Sequence, residues 1–560
     1  MNIFRISHKA LSAAALMWLT AGMLTACSDD TDYDNPSGET YIYSIAVANG
    51  GFTGAENING TIDEESHTIE FTIPAETDIE AVRFTTKLSL GAKLDKDAYD
   101  VSAGSTDLVV TNNENSTVYH AIFNLMAPKE QPVLTSIVCR NDAGEERQGF
   151  VSDVTGTVYL NCDGSQWADV VSVGMIPRRT AYTLSTATDG RISADNPGKL
   201  LMDFMGLTKE YDISFAGVPV FGADWSSASI FNFSKHEGGM IWEDFSAENT
   251  RWAQFDGNSM LIVSRQGGTN PKVILYDDVK AGSPVEHLLD KTGISKGTFE
   301  VSSGSIQHGH YYICNMTTGI GADSPLKVYH WSSMDAPCET LLDFPGNDAV
   351  KGRWGDNMSV CLDEAGNGYL WFFDNTQGGS AVRFAVTAFT QVNPDPEVII
   401  TPYSVAYYAT LNPVPDEPNL YVLTSSYQRS ILLVDSDLNL VNIIEGRDGV
   451  EFPVAAEQDA RVVAYNGERY LITCSGQFWN YRKPQTFRVY DISAGLNTSL
   501  AFSNFNQGEH PILFQYSLDG ANASAWSAQT GAGIGPDGLL RVMACSTRSG
   551  FIMAEVPKKR

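Results

Sequence analysis

Short runs in which apolar and polar residues alternate recur through most of the chain. Period-two alternation, with glycine, asparagine and aspartate between the runs, predicts half-buried strands joined by turns. The first group of runs extends over about 90 residues, a length that suits a small Ig-like β-sandwich over residues 41–127. Its strand-like runs are residues 41–47, 68–73, 82–86, 108–110 and 117–123.

A second β-rich block follows a short linker. Residues 128–132 read Pro-Lys-Glu-Gln-Pro, and two prolines with two opposite charges between strand-like runs predict a connection. Beyond it, apolar or alternating runs at 134–139, 156–160 and 170–175 predict further strands. We interpret residues 130–220 as a second small β domain or as a lead-in to the domain that follows.

The remainder of the chain, residues 221–560, repeats a pair of apolar strands at steps of about 50 residues, which is the spacing of four-stranded propeller blades. The six pairs are residues 260–265 with 273–277, 311–315 with 327–331, 369–373 with 381–384, 420–424 with 430–435, 469–473 with 486–491, and 540–544 with 550–554. This recurrence predicts a β-propeller of six to eight blades, and the alternative is an ordinary meandering sheet. The whole mature chain is therefore predicted to be all-β.

The first 26 residues have the organisation of a secretory signal peptide. Arg5 and Lys9 precede the apolar stretch 10–23, which is shorter than the roughly 20 residues that span a membrane. The sequence Leu-Thr-Ala-Cys ending at Cys27 resembles the bacterial lipobox. That resemblance implies that Cys27 carries a lipid anchor in the outer membrane, and the alternative is an ordinary thiol near a conventional cleavage site.

Residues 27–40 predict an acidic tether, because Asp29, Asp30, Asp32 and Asp34 follow Cys27 closely. The acidic run resembles the surface-export tag of Bacteroides-type lipoproteins, which implies display outside the cell; the alternatives are a plain solvated linker and a periplasmic location. The block 41–127 resembles the Ig-like N-terminal spacer domains of those lipoproteins. The later repeats resemble an uncharacterised propeller family of the same proteins, which implies a fold and a habitat but no chemistry.

The balance of 37 Lys and Arg against 67 Asp and Glu gives a formal net charge of −30. This argues against nucleic acid and anionic lipid as partners, and it disfavours highly acidic polysaccharides unless a local basic patch offsets the field. Seven cysteines follow Cys27, and none of them has CxxC spacing. Because Cys314, Cys474 and Cys545 lie in apolar runs, we predict mostly free, buried thiols.

Arginine and tryptophan recur just before the apolar pairs. They occur as Arg251-Trp252 and Arg353-Trp354, with Arg461 alone in a later repeat. If these segments are innermost strands, the side chains would surround the mouth of a central channel. A guanidinium offers a fork of donors to carboxylate or hydroxyl oxygens, and an indole offers a flat platform for a sugar ring. The alternative is that both residue types close contacts between blades.

Other candidate ligand residues are less regular. His308 and His310 alternate on a strand and could share a metal, but no third ligand lies nearby, so we predict neither a metal site nor a cofactor. Trp479, Tyr481 and Trp526 lie in polar, turn-rich surroundings and are candidates for stacking on a ligand.

The strong catalytic signatures are absent from the sequence: there is no G-x-S-x-G, HExxH, P-loop or dinucleotide fingerprint. Asp244, Asp356 and Asp374 are carboxylates that could pair across the channel for glycoside hydrolysis. We therefore expect a non-catalytic surface lipoprotein that captures a polysaccharide or oligosaccharide beside an outer-membrane importer and partner lipoproteins. The alternatives are a propeller glycosidase or polysaccharide lyase, and a structural or adhesive propeller that binds protein.

Overall fold

The computed structural model describes residues 38–54, 56–185, 191–236, 249–295, 297–375, 379–405, 408–415, 417–425, 430–445, 457–475, 485–495, 497–507, 512–518 and 527–560. The chain divides into two compact units, with the boundary between Met126 and Ala127. The described helices are α1 (Tyr276–Lys280), α2 (Thr498–Gln507) and one 3₁₀ turn, Trp225–Ser227. None of them is long and apolar enough to span a membrane.

The first unit contains two sheets that share one hydrophobic core. Its strands are β1 (Ile42–Gly50), β2 (Glu56–Asn59), β3 (Thr61–Asp63), β4 (Thr68–Ile73), β5 (Phe84–Leu88), β6 (Lys93–Leu94), β7 (Ser105–Asn112) and β8 (Asn115–Leu125). The strand orders are β2-β1-β5 and β3-β4-β8-β7-β6. Alternate residues of β4 point into the core, where Phe71 stacks on Phe123 at 4.9 Å between ring centroids.

The second unit begins with two more sheets around a core that includes Cys139, Cys162 and Tyr211. Its strands are β9 (Val133–Asn141), β10 (Glu146–Gln148), β11 (Phe150–Ser152), β12 (Thr157–Tyr159), β13 (Trp167–Ile176), β14 (Ala181–Ser185), β15 (Ile192–Ser193), β16 (Lys199–Phe204) and β17 (Leu207–Ser214). The orders are β10-β9-β13-β15 and β11-β12-β17-β16-β14. We call this block the second β block.

The rest of the second unit forms six antiparallel sheets in its described residues. Sheet 1 contains β19 (Thr250–Phe255), β20 (Ser259–Ser264), β21 (Lys272–Leu275) and β22 (His287–Leu288). Sheet 2 contains β23 (Phe299–Gln307), β24 (His310–Met316), β25 (Leu326–Trp331) and β26 (Glu339–Phe344). Sheet 3 contains β27 (Ser359–Leu362), β28 (Gly368–Phe373), β29 (Ser380–Thr387), β30 (Gln391–Val392) and β31 (Glu397–Ile400).

The remaining three sheets continue the same order along the chain. Sheet 4 contains β32 (Thr410–Pro413), β33 (Leu420–Thr424), β34 (Ile431–Asp435) and β35 (Leu440–Ile444). Sheet 5 contains β36 (Glu457–Tyr465), β37 (Glu468–Ser475), β38 (Thr486–Asp491) and β39 (Ile512–Ser517). Sheet 6 contains β40 (Ala528–Ile534), β41 (Leu540–Ser546), β42 (Gly550–Val556) and, as its outer strand, β18 (Ser229–Ser234).

The first strands of the six sheets contact one another in cyclic order, from β19 through β23, β27, β32 and β36 to β40 and back to β19. We call these the inner strands and the whole arrangement the ring. The ring closes in sheet 6, because β18 pairs with β42 near the end of the chain and Phe233 stacks on Phe551 at 5.1 Å. A cycle of small antiparallel sheets is a propeller-like arrangement.

The predicted all-β class is confirmed, and each of the six predicted apolar pairs contains a pair of adjacent antiparallel strands. In the first pair the second strand ends at Leu275, and Tyr276 and Asp277 begin α1 instead. These strands lie in the middle of their sheets and are packed on both faces by neighbouring sheets. In β20, β25, β41 and β42 every residue is buried, which is why they have continuous apolar character rather than strict alternation. All seven cysteines after Cys27 are free and six are buried, as predicted.

The second β block joins the ring through a buried ion network. The Asp153 carboxylate accepts hydrogen bonds from the Tyr211 hydroxyl at 2.6 Å and contacts Lys209 Nζ at 2.8 Å. Its second oxygen lies 3.3 Å from Arg469 Nη2, and that guanidinium also contacts Glu417 Oε1 at 3.3 Å. Two cations and two carboxylates therefore balance one another at the contact.

Candidate functional site

A cavity of about 460 Å³ lies at the centre of the ring. All six inner strands contribute to its wall, so it lies where the sheets converge. Each inner strand contributes at least one polar residue to the wall. In chain order, these include Gln254, Ser305, Ser359, Asn412, Arg461 and Thr530. This is the candidate functional site.

Several of these polar side chains bond to the backbone of the next inner strand. An inner strand is the edge of its sheet, and its unpaired backbone groups need partners. The contacts are Gln254 Oε1 with the Ile306 N–H, Ser359 Oγ with the Leu411 N–H at 2.9 Å, Asn412 Nδ2 with Ala460 O at 2.9 Å, and Arg461 Nη2 with Thr530 O at 2.6 Å. Part of the wall's polarity is therefore structural.

Asp459 is the centre of the polar network on one side of the cavity. Its Oδ1 accepts hydrogen bonds from Thr410 Oγ1 at 2.9 Å and from Asn412 Nδ2 at 2.7 Å. Its Oδ2 accepts from the Thr530 N–H at 2.7 Å, from Thr530 Oγ1 at 2.9 Å and from Arg461 Nη2 at 3.3 Å. The residue is 1% exposed, so five donors hold a buried carboxylate in one position.

Several side-chain atoms of the wall have no hydrogen-bond partner within the described part of the chain. One of them, Gln529 Nε2, is itself buried. Two others are donors, Arg461 Nη1 and Gln254 Nε2, since the bonds of these side chains use other atoms. Two are acceptors, Asn412 Oδ1 and Gln307 Oε1. The Asn412 amide orientation follows from its two acceptors, Asp459 and Ala460. The cavity thus offers both donors and acceptors from four different sheets.

A second polar cluster lies around the N-terminal ends of inner strands. Arg251 Nη1 donates to the Tyr408 hydroxyl over 2.8 Å, and the Arg265 guanidinium lies 5.9 Å from the Tyr408 ring. Arg265 Nη2 also contacts Asp356 Oδ1 at 3.0 Å, and Arg353 binds both oxygens of that carboxylate at 2.5 and 2.6 Å. Arg251 and Arg353 are therefore ordered by protein contacts.

Asp356 has a lowered pKa. Burial alone would raise the pKa of this carboxyl, but hydrogen bonding to Arg353 and the charges of Arg265 and Arg353 outweigh burial and lower it. A carboxyl with a lowered pKa stays ionised at neutral pH and is a poor proton donor. The Asp356 environment suits a structural counter-ion better than the general acid of glycoside hydrolysis.

Both tryptophans of the Arg-Trp pairs are buried. Trp252 is 6% exposed and donates its indole N–H to Gly304 O, although part of it reaches the cavity wall. Trp354 is 1% exposed, packs in the core between sheets 2 and 3, and donates to Lys351 O at 2.9 Å. Their positions match the alternative interpretation, contacts between sheets, and neither offers an open indole face. Trp371, in β28 of sheet 3, is also fully buried.

The two candidate histidines, His308 and His310, have different surroundings. His308 follows β23 with a left-handed backbone (φ 51°) and contributes to the cavity wall. His310 pairs with His330, with Nδ1 and Nε2 2.8 Å apart, and stacks on Phe389 at 4.3 Å. Burial and the neighbouring His310 lower the pKa of His330 to about 4. Among the described residues no group of three or more His, Cys, Asp or Glu could hold a metal ion.

Several candidates fall outside the described residues: Cys27, Asp244, Trp479, Tyr481 and Trp526. Of the others, Arg461, His308 and Trp252 contribute to the cavity wall, whereas Arg251 and Arg353 lie in the second cluster. The sequence interpretation missed Gln254, Gln307, Asn412 and Asp459. The feature of the sequence that could have indicated them is their position, because each lies in the less apolar strand that precedes an apolar pair.

The fold and the cavity define an all-β protein with a propeller-like ring of sheets around a polar central site. The family model described as "Domain of unknown function (DUF4623)" matches residues 29–126 and 208–559, and the chain belongs to this family. No curated protein matches the chain in sequence.

A crystal structure of a DUF4623 family protein from Bacteroides eggerthii has the same fold, with a TM-score of 0.55 at 24% identity over 93% of this chain and 99% of that one. Exo-β-1,3-galactanase from Phanerochaete chrysosporium is similar at a TM-score of 0.30, with 10% identity over 48% of this chain and 62% of that chain. Regucalcin from Agrobacterium tumefaciens gives 0.33, with 11% identity over 57% and 94%. The last two likenesses are too low to support any functional argument.

Proposed function

We propose that the protein captures a carbohydrate in the central cavity without chemically altering it. The observation that carries the proposal is a group of wall atoms without partners among the described residues: Arg461 Nη1 and Gln254 Nε2 as donors, and Asn412 Oδ1 and Gln307 Oε1 as acceptors. A hydroxyl group both donates and accepts hydrogen bonds. A sugar, with several hydroxyls on one ring, can therefore satisfy both kinds of atom at once.

The dimensions and lining of the cavity support the same ligand class. Its volume of about 460 Å³ falls in the range of pockets that hold small molecules. Ile306, Met358, Val360 and Leu411 contribute apolar surface between the polar groups. Sugar rings have C–H faces as well as hydroxyls, so a wall of mixed character suits them.

The arrangement of two buried carboxyls, those of Asp459 and Asp356, favours capture over hydrolysis. Asp459 is the buried carboxylate of the cavity wall, and its five hydrogen bonds already occupy both oxygens. Asp356 is held between two arginines. Protein donors thus hold both carboxyls, whereas a general acid must be free to give a proton to its substrate.

The proposal extends to where the protein works. We propose that the six sheets are the blades of a six-bladed propeller, that residues 41–127 form an Ig-like spacer, and that Cys27 carries the lipid anchor. The protein would then be displayed on the outer membrane and deliver glycan to an importer and partner lipoproteins. This part rests on the lipobox and the acidic run after Cys27.

A glycan array and affinity gels, with a parallel assay for released reducing ends, test the proposal on purified protein. We expect binding of at least one glycan without release. Release of reducing ends would make the protein an enzyme instead. Capture of an outer-membrane protein with no dependence on sugar, and no binding to any glycan, would overturn the proposal in favour of a protein partner.

A further inference from the structure

We infer that Asp459 makes the cavity selective for neutral sugars over anionic ones by neutralising Arg461. This inference rests on the proposed carbohydrate capture and adds the class of ligand. It concerns the charge of the wall, where Arg461 is the one Lys or Arg side chain among the described wall residues. A free guanidinium would favour a carboxylate, because its planar fork of donors matches two carboxylate oxygens.

Arg461 is not free to behave in that way. Its Nη2 lies 3.3 Å from Asp459 Oδ2 and 2.6 Å from Thr530 O, and its Nε donates to Thr530 Oγ1 at 2.9 Å. These bonds leave Nη1, with its two N–H groups, without a partner among the described residues. The two N–H groups of one nitrogen diverge and can bind hydroxyls, but the parallel fork that a carboxylate or sulfate prefers needs donors from two nitrogens, and those of Nε and Nη2 are already used.

Asp459 also cannot move away from an incoming anion. Four hydrogen bonds from Thr410, Asn412 and Thr530 fix it independently of Arg461. An anionic ligand that reached Arg461 Nη1 would therefore meet a fixed like charge close by, in a site where burial weakens screening by water.

The other charges near the site act in the same direction. Asp256, at the end of β19, is a second carboxylate of the wall, so the wall carries two carboxylates and one guanidinium in its described residues. The whole chain has a formal net charge of −30, which repels anions at long range. A neutral, hydroxyl-rich ligand is repelled neither by the carboxylates of the wall nor by the net charge of the chain.

The test uses matched pairs of oligosaccharides that differ by oxidation of C6: oligomers of glucose, galactose and mannose, each with the corresponding uronate. Affinities are measured by titration calorimetry on the wild type, Asp459→Asn and Asp348→Asn. We expect the wild type to bind the neutral member of at least one pair at least about tenfold more tightly. Asp459→Asn keeps the shape of the site but frees the Arg461 charge, so the preference should shrink or reverse.

Asp348→Asn is the matched control, because it makes the same change at a fully exposed carboxylate that is not part of the cavity wall. Its preference should equal that of the wild type. If Asp459→Asn does not fold, Arg461→Gln serves instead: it removes the cation, and discrimination against uronates should increase.

The outcomes separate the two proposals. Wild-type protein that binds neutral and uronate members equally, or prefers uronates, overturns the selectivity and leaves carbohydrate capture standing. Wild-type protein that binds no member of any pair and no glycan on the array removes the proposed function itself. An unchanged preference in Asp459→Asn, or a weaker discrimination in Arg461→Gln, also overturns the role of Asp459.

Discussion

Arg251 and Tyr408 connect opposite sides of the ring. Arg251 lies on the inner strand of sheet 1, and Tyr408 lies two residues before the inner strand of sheet 4. Nη1 of Arg251 donates to the hydroxyl of Tyr408 over 2.8 Å. Three steps around the cycle separate these two sheets, so the contact crosses the centre of the ring. Tyr408 holds a left-handed backbone (φ 56°) in this position, which non-glycine residues seldom adopt.

Tyr408→Phe should therefore weaken the ring by removing one charge-assisted hydrogen bond while keeping the aromatic ring. We expect a loss of about 1–2 kcal/mol in the free energy of unfolding, measured by urea denaturation. Tyr182→Phe is the control, because Tyr182 is 43% exposed on β14. Equal stability of the two variants would show that the contact across the ring contributes nothing.

The Gln254 Nε2 donor, which has no partner among the described residues, gives a direct test of the cavity. Gln254→Glu keeps the oxygen that accepts the Ile306 N–H but replaces the Nε2 donor. If that donor binds a sugar hydroxyl, affinity for the captured glycan should fall about threefold to tenfold, measured by calorimetry. Gln391→Glu makes the same change at an exposed position of β30 and should bind as the wild type does. Unchanged affinity in Gln254→Glu would exclude Gln254 from the site.

The buried ion network predicts strong coupling between the second β block and the ring. Asp153→Ala leaves Lys209 and Arg469 buried without their shared counter-ion. Removing one partner of a buried pair typically costs about 3–5 kcal/mol, whereas an exposed pair contributes about 0–1 kcal/mol. Asp169→Ala, which breaks the exposed pair with Arg191, is the matched control. Similar losses in the two variants, by urea denaturation, would contradict the prediction.

The histidine pair predicts a loss of stability in acid. Burial lowers the pKa of both His310 and His330, and that of His330 falls to about 4. In the unfolded chain both histidines have the ordinary pKa of about 6.5. The unfolded state therefore binds more protons as the pH falls. The contribution of the two neutral histidines to the free energy of unfolding is fully present above about pH 6.5. It is lost progressively as the pH falls to about 4, and the loss for His330 is roughly 3 kcal/mol.

The measurement for this prediction is urea denaturation as a function of pH. The variant His330→Gln removes the titrating group, so it should lose less stability than the wild type across the same interval. The control His120→Gln changes an exposed histidine paired with Asp107 and should follow the wild-type profile. Parallel profiles for wild type and His330→Gln would place the acid sensitivity elsewhere.

The strands themselves were predictable because their signal is local. Each apolar pair, such as residues 260–265 with 273–277, needs no knowledge of distant sequence, since a strand buried on both faces must be apolar along its length. The cavity was not predictable in the same way. Gln254, Asn412 and Asp459 lie on three different sheets, and no property of their neighbours in sequence marks them as facing one centre.

The same limit explains the two Arg-Trp pairs, which are identical as dipeptides and differ in the fold. Arg251-Trp252 lies on an inner strand, whereas Arg353-Trp354 precedes one, and Trp354 is enclosed by the core between sheets 2 and 3. The sequence by itself determined the all-β class, the repeated strand pairs and the buried thiols, because hydrophobic periodicity is a local property. Only the tertiary structure decided which polar groups surround the cavity and that Thr410, Asn412 and Thr530 hold Asp459, because those contacts depend on how distant sheets close into a ring.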